Sequence, residues 1–166
     1  MYSFIVLGIS NTIFIMYQPY FRATGIDVSY NGIIFAGFSI FTAIAALYSY
    51  KVEKKLGVFN SLLIMPLFLV VALLGASTWF MWFGFLFFLL RELVRGFIFP
   101  VLGDYTNKLA VSSERATVLS VGSMFSRLGL VVISTTFGFF SDAHGMQYVL
   151  LITGLCLLLF TGVTYF

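Results

Sequence analysis

The chain has 166 residues, of which 61% are hydrophobic and only 9% are charged, and its formal net charge is +3. About a quarter of the residues in an ordinary soluble domain are charged, so this composition excludes a water-soluble globular protein. The long apolar runs, such as the one from Leu62 to Leu74, lack the in/out alternation of barrel strands. Because hydrocarbon offers no partner for the backbone, the sequence predicts an all-α polytopic membrane protein.

Six apolar stretches are each long enough to cross a bilayer core of about 30 Å, which takes roughly 20 helical residues. In chain order, we predict transmembrane helices at residues 2–20, 28–50, 58–75, 78–105, 115–140 and 146–166. Polar or glycine-containing joints separate them, including a charged joint from Lys51 to Gly57 and a tight turn at Gly75–Ser77. No long soluble loop remains, so we expect a single six-helix transmembrane domain over residues 1–166.

The basic residues outside the predicted spans lie mostly on one side of the membrane. Five of the six are on that side: Lys51, Lys54, Lys55, Lys108 and Arg115. By the positive-inside rule this side is cytoplasmic, so both termini are expected in the cytoplasm, with the cell (plasma) membrane as the location. The net charge therefore reports topology and gives no reason to expect nucleic acid binding. Five aromatic residues are expected to anchor the outer surface: Tyr17, Tyr20, Tyr30, Trp79 and Trp82.

Residues that carry metal or nucleophilic chemistry are nearly absent. Cys156 lies in the last span and is expected to pack as a small hydrophobic residue. His144 is expected to be a solvated turn residue, with pH sensing as the alternative. No metal-binding spacing, phosphate loop or nucleophile motif is present. We therefore expect no enzyme activity, no catalytic residue and no metal or cofactor.

Charged residues within the predicted spans are few and unevenly placed. The fourth span carries Arg91, Glu92 and Arg95, and the fifth carries Arg127. Counted from Thr78 at about 1.5 Å per residue, Arg91 lies roughly 20 Å from the outer surface, and Arg127 lies about 18 Å from the inner one. A central arginine costs on the order of 2.5–3.5 kcal/mol to insert, so these charges need compensation.

Uncharged polar residues mark two further helix faces. Asn11 and Gln18 are two turns apart on the first span. The fifth span carries a polar stripe at helical spacing, formed by Ser120, Ser123, Arg127 and Ser134. We expect both faces to meet protein or a cavity rather than lipid.

Two interpretations of these polar groups remain open. In the structural one, Arg95 extends to the inner headgroups, Glu92 neutralises one arginine and backbone carbonyls hold the other. In the functional one, three arginines and one carboxylate leave a charge of +2 within the membrane. An anionic substrate, water in a cavity or carboxylates of another polypeptide must then compensate it.

Several motifs resemble those of the major facilitator superfamily. The run Asp104-Tyr105-Thr106-Asn107-Lys108, followed by Ser113-Glu114-Arg115-Ala116-Thr117-Val118-Leu119-Ser120, looks like that family's tenth span, cytoplasmic loop and eleventh span. Lys54-Lys55-Leu56-Gly57 resembles the loop between its eighth and ninth spans, although Lys54 stands where the family has an aspartate. Residues 138–145 keep a Gly-xxx-Asp-xx-Gly skeleton that is typical of cytoplasmic loops, whereas the lysine count puts this copy outside.

The resemblance covers essentially the whole chain, as the six helices of a C-terminal half. It implies a half bundle that binds a small-molecule substrate, with an anion as one candidate, against a second six-helix half and exposes it alternately to each side. The first and fourth spans of such a half line the cavity, and the fifth does so in part. These spans carry the candidate translocation-pathway residues: Asn11, Gln18, Arg91, Glu92, Arg95 and Arg127.

The roles that the resemblance implies differ among these residues. Arg91 and Arg127 are candidate partners of an anion or carboxylate, Glu92 is a counter-ion or a proton site, and Asn11 and Gln18 donate or accept hydrogen bonds. The cytoplasmic loop motif consists of Lys54, Lys55, Gly57, Asp104, Asn107 and Arg115.

One six-helix half forms only one wall of a cavity. We therefore expect a second half: an N-terminal half that this chain lacks, a separate polypeptide, or a second copy in a homodimer. The alternative is a membrane scaffold that transports nothing, or a truncated, non-functional transporter.

Overall fold

The computed structural model of the chain describes residues 2–109 and 114–165, which are helical almost throughout and contain no strand. In these ranges the α-helices are α1 (Gly8–Ala23), α2 (Asn31–Thr78), α3 (Phe88–Leu109), α4 (Arg115–His144) and α5 (Met146–Tyr165). A π-helical turn, Ser3–Leu7, leads into α1, and short 3-10 turns, Val28–Tyr30 and Gly84–Phe87, lead into α2 and α3. Residues 110–113 of the predicted joint before α4 lie outside the described ranges.

The end of α1 is a Schellman motif, which explains why the chain turns there. Gly25 has φ +81°, a conformation that glycine adopts without strain. Its amide donates to the Arg22 carbonyl, and the amide of Ile26 donates to the Phe21 carbonyl, so the last turn is satisfied. In the following loop, the Ser29 hydroxyl and amide both donate to Asp27, which lowers the pKa of that exposed carboxyl group below its ordinary value.

Two glycines break the helical path without a loop. Gly57, with φ +77° and ψ 160°, divides α2 into a first arm (residues 31–56) and a second arm (residues 58–78). Gly145, with φ +89° and ψ 147°, separates α4 from α5 in nearly the same conformation. This region is essentially restricted to glycine, so each change of direction depends on that residue. Gly57 is the last residue of the Lys54-Lys55-Leu56-Gly57 motif, and Gly145 is the last residue of the motif at residues 138–145.

Four stretches of the described chain are long and apolar enough to cross a membrane: Phe4–Ala23, Val28–Thr78, Arg115–His144 and Met146–Val163. This count differs from the six predicted spans for two reasons. The second stretch contains both arms of α2, which Gly57 separates. In addition, α3 carries more charge than the other helices. Large apolar side chains are exposed along these stretches, as a lipid-facing surface requires.

The predicted tight turn at Gly75–Ser77 is wrong, because α2 continues to Thr78. The chain turns instead between Trp79 and Phe83, where backbone hydrogen bonds such as the one from the Met81 amide to the Trp79 carbonyl form. The small residues of this segment serve helix packing instead of a turn. Ala76 is fully buried, and its carbonyl accepts a hydrogen bond from the Tyr20 hydroxyl at 3.1 Å. The α-helical part of the predicted fourth span therefore begins ten residues later than expected, at Phe88.

Close approaches at glycine fix how the helices pack. A Cβ on Gly8 of α1 would lie 2.9 Å from the backbone of Gly129 on α4. A Cβ on Gly96 of α3 would lie 2.5 Å from the Thr42 carbonyl oxygen on the first arm of α2. Small residues allow such backbone contact in membrane bundles, where apolar burial does not itself drive association. α5 packs on the second arm, and the Gln147 side chain donates to the Ser77 carbonyl at 2.9 Å.

An aromatic cluster fills the bundle where α1, the first arm and α3 meet. Tyr17 is fully buried and packs on Phe88 at 4.7 Å and on Phe38 at 5.2 Å between ring centroids. Tyr20 packs edge-to-face on Phe88 at 4.9 Å. The prediction that Tyr17 and Tyr20 anchor the membrane surface is therefore wrong, because both are 0% exposed. Their rings belong to the core, and each hydroxyl finds a buried acceptor.

We expect Gly96→Ala to destabilise the protein by about 1–3 kcal/mol, because the new methyl group meets a backbone carbonyl that cannot move away on its own. Gly103→Ala on the same helix is the matched control, since nothing lies within 4 Å of a Cβ there. That control should be neutral or stabilising by up to about 1 kcal/mol, through helix propensity. Thermal unfolding in detergent distinguishes the two, and equal midpoints would contradict the packing assigned to Gly96.

Candidate functional site

Glu92 lies at the centre of a buried polar cluster that joins three helices. Its side chain is 1% exposed. Oε1 accepts hydrogen bonds from the Tyr17 hydroxyl of α1 at 2.8 Å and from Nη1 of Arg91 at 2.6 Å. Oε2 accepts one from the Thr42 hydroxyl of the first arm at 2.6 Å. Three short bonds to one carboxylate favour its ionised form, because a carboxylate accepts hydrogen bonds and donates none.

The Arg91 side chain is buried and is bound by groups of the protein itself. Its side chain is 3% exposed, and besides the ion pair with Glu92, its Nε donates to the Ser10 carbonyl of α1 at 2.9 Å. The guanidinium carbon also lies 5.2 Å from the Phe14 ring centroid and 5.8 Å from that of Tyr17, within cation–π range. Arg91 therefore ties α1 to α3, and its charge is already neutralised.

Arg95 differs from Arg91 although it lies one turn away on the same helix. Its side chain is 45% exposed, and Nη1 is 3.7 Å from Oε2 of Glu92, too long for a hydrogen bond. Its guanidinium carbon lies 5.6 Å from the Phe14 ring centroid, so both arginines contact the same ring. Within the described residues, Arg95 thus has an attractive environment but no hydrogen-bond acceptor.

The depth expected for Arg91 in the membrane stays a prediction, and the count that gave it does not hold. Because α3 begins at Phe88, counting helical residues from Thr78 is invalid. The bond to Ser10 instead places Arg91 along α1. Ser10 lies 13 residues before the end of α1 at Ala23, which corresponds to roughly 20 Å along the helix.

A second polar contact links α1 to α4. Asn11 Nδ2 donates to the Ser126 hydroxyl at 3.3 Å, and Ser126 is buried. The next residue, Arg127, is exposed, and its guanidinium has no hydrogen-bond or ion-pair partner among residues 2–109 and 114–165. Gln18 is also exposed. Asn11 and Arg127 are thus brought together in one region, while Gln18 lies two turns farther along α1.

A cavity of about 710 Å³ lies between α1, the second arm of α2, α3 and α4. Its wall is apolar on the second arm and mixed on α3, where Tyr105 and Thr106 lie near Phe99, and it carries most of its polar groups on α4. Representative lining residues are Leu7, Asn11, Leu62, Phe99, Ser123 and Arg127. This volume is in the range of small-molecule sites. Arg95 lies one helical turn from Phe99, on the same face of α3.

The predicted loop motif lies at the ends of helices. Lys54 and Lys55 are exposed in the last turn of the first arm, directly before the break at Gly57. Asp104 is half-buried on α3, and Asn107 belongs to the last turn of that helix. Arg115 begins α4.

The cysteine and the histidine border a separate, apolar groove of about 580 Å³ between α4 and α5. His144 packs between Phe140 and Tyr148, with ring centroids 6.0 and 5.8 Å away. Cys156 is exposed on α5 rather than packed in the core. Among the described residues, no group of three or more His, Cys, Asp or Glu side chains is arranged to hold a metal ion.

Sequence reasoning missed four residues of the cluster: Ser10, Phe14, Tyr17 and Thr42. Thr42 carried a usable signal, because it is a polar residue in an apolar span and lies one helical turn before the small residue Ala46; Gly96 packs against both. Tyr17 did not, since an aromatic residue near a helix end is equally typical of a membrane interface. The Ser10 contribution is a backbone carbonyl and has no sequence signal.

The model of the Major Facilitator Superfamily matches residues 1–166. The chain belongs to the major facilitator superfamily. No match was found among curated proteins or among solved structures. As a member of this superfamily of transporters, the protein is an integral membrane protein of the small-solute transporter kind.

We expect Glu92→Gln to destabilise this major facilitator protein by about 3–5 kcal/mol, because Arg91 would remain buried without its counter-charge. The double variant Arg91→Gln/Glu92→Gln should recover part of that loss, since it leaves no uncompensated charge. Glu114→Gln, an exposed position, is the matched control and should change stability by less than about 1 kcal/mol. Thermal unfolding in detergent measures all three, and a double variant less stable than Glu92→Gln would contradict the assignment.

Proposed function

We propose that the chain is a C-terminal-type half of a secondary-active transporter for small solutes, and that it works by alternating access with a second six-helix half. In this proposal six helices span the membrane: α1 with its π-helical turn, the two arms of α2, α3, α4 and α5. Residues 1–166 form one transmembrane domain. The protein carries a solute and catalyses no covalent reaction.

The charges on α3 are compatible with a membrane span because most of them do not face lipid. Arg91 and Glu92 neutralise each other inside the bundle and are almost fully buried. Arg95 is next to Glu92 and lies on the helix face that continues into the cavity wall. A buried, paired charge avoids most of the insertion cost that an isolated one has in hydrocarbon.

The observation that carries the proposal is the cavity of about 710 Å³ with polar groups on one side. A lipid-sealed bundle has no use for Asn11, Ser123 and Arg127 on an open wall, because each polar group would meet hydrocarbon. Opposite a second half, the same wall lines an aqueous path for a solute. We therefore assign Asn11 and Arg127 to the translocation pathway.

The roles proposed for the charged residues follow from their burial. Glu92 serves as an internal counter-ion, since three short hydrogen bonds hold its carboxylate. Arg91 positions α1 against α3. Arg95, which is more exposed, replaces Arg91 in the role of the cation that contacts the solute. Gln18 lies on the exposed face of α1 and belongs to the outer part of the same path.

The second half completes the cavity and is either another six-helix unit or a second copy of this bundle. The proposed orientation has both termini in the cytoplasm, with Lys54, Lys55, Gly57, Asp104, Asn107 and Arg115 on the cytoplasmic side. The positive-inside distribution supports this orientation, and the cell (plasma) membrane is the proposed location.

The orientation predicts which sites a membrane-impermeant maleimide reaches in intact cells. In a Cys156→Ser background, Val28→Cys should be labelled from outside, because Val28 is 58% exposed in the first outer joint. Lys54→Cys, which is exposed beside Gly57, should be labelled only after permeabilisation. The opposite pattern would invert the topology.

Transport itself is tested by filling the cavity. Nothing lies within 4 Å of a Cβ on Gly122, so the indole of Gly122→Trp projects into the cavity that this residue lines. Leu159→Trp is the matched control, because Leu159 is 71% exposed on α5 and does not line the cavity. Membrane vesicles are prepared from cells that overproduce the chain in its native membrane. They should accumulate at least one of radiolabelled succinate, glucose or lysine.

We expect Gly122→Trp to reduce that uptake at least tenfold and Leu159→Trp to leave it unchanged. Immunoblotting must show equal amounts of both variants in the membrane. If the chain increases uptake of none of these solutes over vesicles without it, the transport proposal fails and a scaffold role is favoured.

A further inference from the structure

We infer that the solute of this half is a small organic dianion, bound by the guanidinium groups of Arg95 and Arg127 beside Asn11. This inference rests on the proposed function and specifies the substrate class of the same path, in which Arg127 lines the cavity and Arg95 lies one helical turn before Phe99 of the cavity wall.

Hydrogen-bond accounting separates Arg95 from Arg91. Both oxygens of Glu92 are already engaged, with three donors between 2.6 and 2.8 Å. Arg95 Nη1 stands 3.7 Å from Oε2, which is within ion-pair range but too long for a hydrogen bond. Its guanidinium has five N–H donors and is 45% exposed, so it is free to bind a further acceptor.

Arg127 has fewer partners than Arg95. It is exposed, lines the cavity, and lacks a hydrogen-bond or ion-pair partner in the part of the chain that the structure describes. Its neighbour Ser126 is fixed by Asn11, which holds this turn of α4 against α1. The guanidinium is therefore presented from an anchored backbone.

The two open guanidinium groups approach the same turn of α1. Arg95 packs on the Phe14 ring, with its guanidinium carbon 5.6 Å from the ring centroid. Arg127 follows the residue that binds Asn11, and Asn11 precedes Phe14 by about one helical turn, or roughly 4.5 Å of rise. Arg95 comes from α3 and Arg127 from α4, so the inference places the solute between these two helices, against this turn of α1.

Charge balance sets the solute's charge at two. Arg91 and Glu92 cancel each other within the bundle, which leaves one positive charge on Arg95 and one on Arg127. Guanidinium groups bind carboxylates and phosphates through paired, parallel hydrogen bonds. A dianion satisfies both groups, whereas a neutral solute leaves the charge uncompensated and a cation adds to it.

Binding to the full chain, purified from native membranes with any second half that accompanies it, tests the inference. The probes are the dianions succinate, phthalate and phenyl phosphate. Succinamide is the neutral counterpart of succinate, and putrescine is a four-carbon dication. We expect at least one dianion to bind at least tenfold more tightly than succinamide or putrescine in titration calorimetry.

The variants Arg95→Gln and Arg127→Gln should each weaken that binding tenfold or more. Arg22→Gln, an exposed arginine at the end of α1, is the matched control and should leave it unchanged. Arg95→Lys and Arg127→Lys keep the charge but lose the planar pair of donors, so intermediate affinities are expected. Unfolding midpoints without ligand verify that each variant is folded, and the comparison of probes on the unmodified chain does not depend on them.

The inference is overturned if no dianion binds, if succinamide or putrescine binds as well, or if both glutamine variants bind like Arg22→Gln. These outcomes differ from failure of transport. Uptake of glucose or lysine that Gly122→Trp blocks, without uptake of a dianion, would retain the transporter and reject its proposed substrate. Absence of any uptake would reject the transporter itself.

Discussion

The Glu92 carboxylate is the interaction on which the rest of this structure depends. It accepts hydrogen bonds from α1, the first arm of α2 and its own helix, α3, and it neutralises the buried Arg91. Removing such a group leaves an uncompensated charge and takes the acceptor from the buried Tyr17 hydroxyl and from Nη1 of Arg91, so an incomplete cluster costs several kcal/mol. In a bundle where apolar contact with lipid is as favourable as apolar contact with protein, this polar cluster also specifies which helices are neighbours.

The cluster explains how two arginines one turn apart acquire different roles. Arg91 lies on the side of α3 that faces α1, where it donates hydrogen bonds to the Ser10 carbonyl and to Glu92. Arg95 is 45% exposed, and its Nη1 lies 3.7 Å from the same carboxylate. Phe14 lies near both guanidinium groups, and its negative ring face offsets part of their mutual repulsion. Thus the fold neutralises the charge of Arg91 and leaves the guanidinium of Arg95 partly exposed.

Much of the candidate site could be predicted from sequence, because an intramembrane charge is costly wherever it lies. The polar stripe and the span charges identified Asn11, Arg127 and the Arg91–Glu92–Arg95 group before any contact was known. The different roles of these residues could not be predicted, because they depend on two hydrogen-bond donors far from Glu92 in the chain. These donors are Tyr17, 75 positions away, and Thr42, 50 positions away. The turn assigned to Gly75–Ser77 failed for a similar reason, as small residues serve both turns and close helix packing.

By itself, the sequence determined the solvent, the helical class, and the glycine breaks, because hydrocarbon permits few backbone arrangements and only glycine adopts the conformations seen at Gly57 and Gly145. It also determined how much charge the membrane part carries. Only the tertiary structure decided which arginine is neutralised, where α3 begins and which helices enclose the cavity. Those features depend on distances between residues far apart in the chain, and no local rule of composition or periodicity contains such distances.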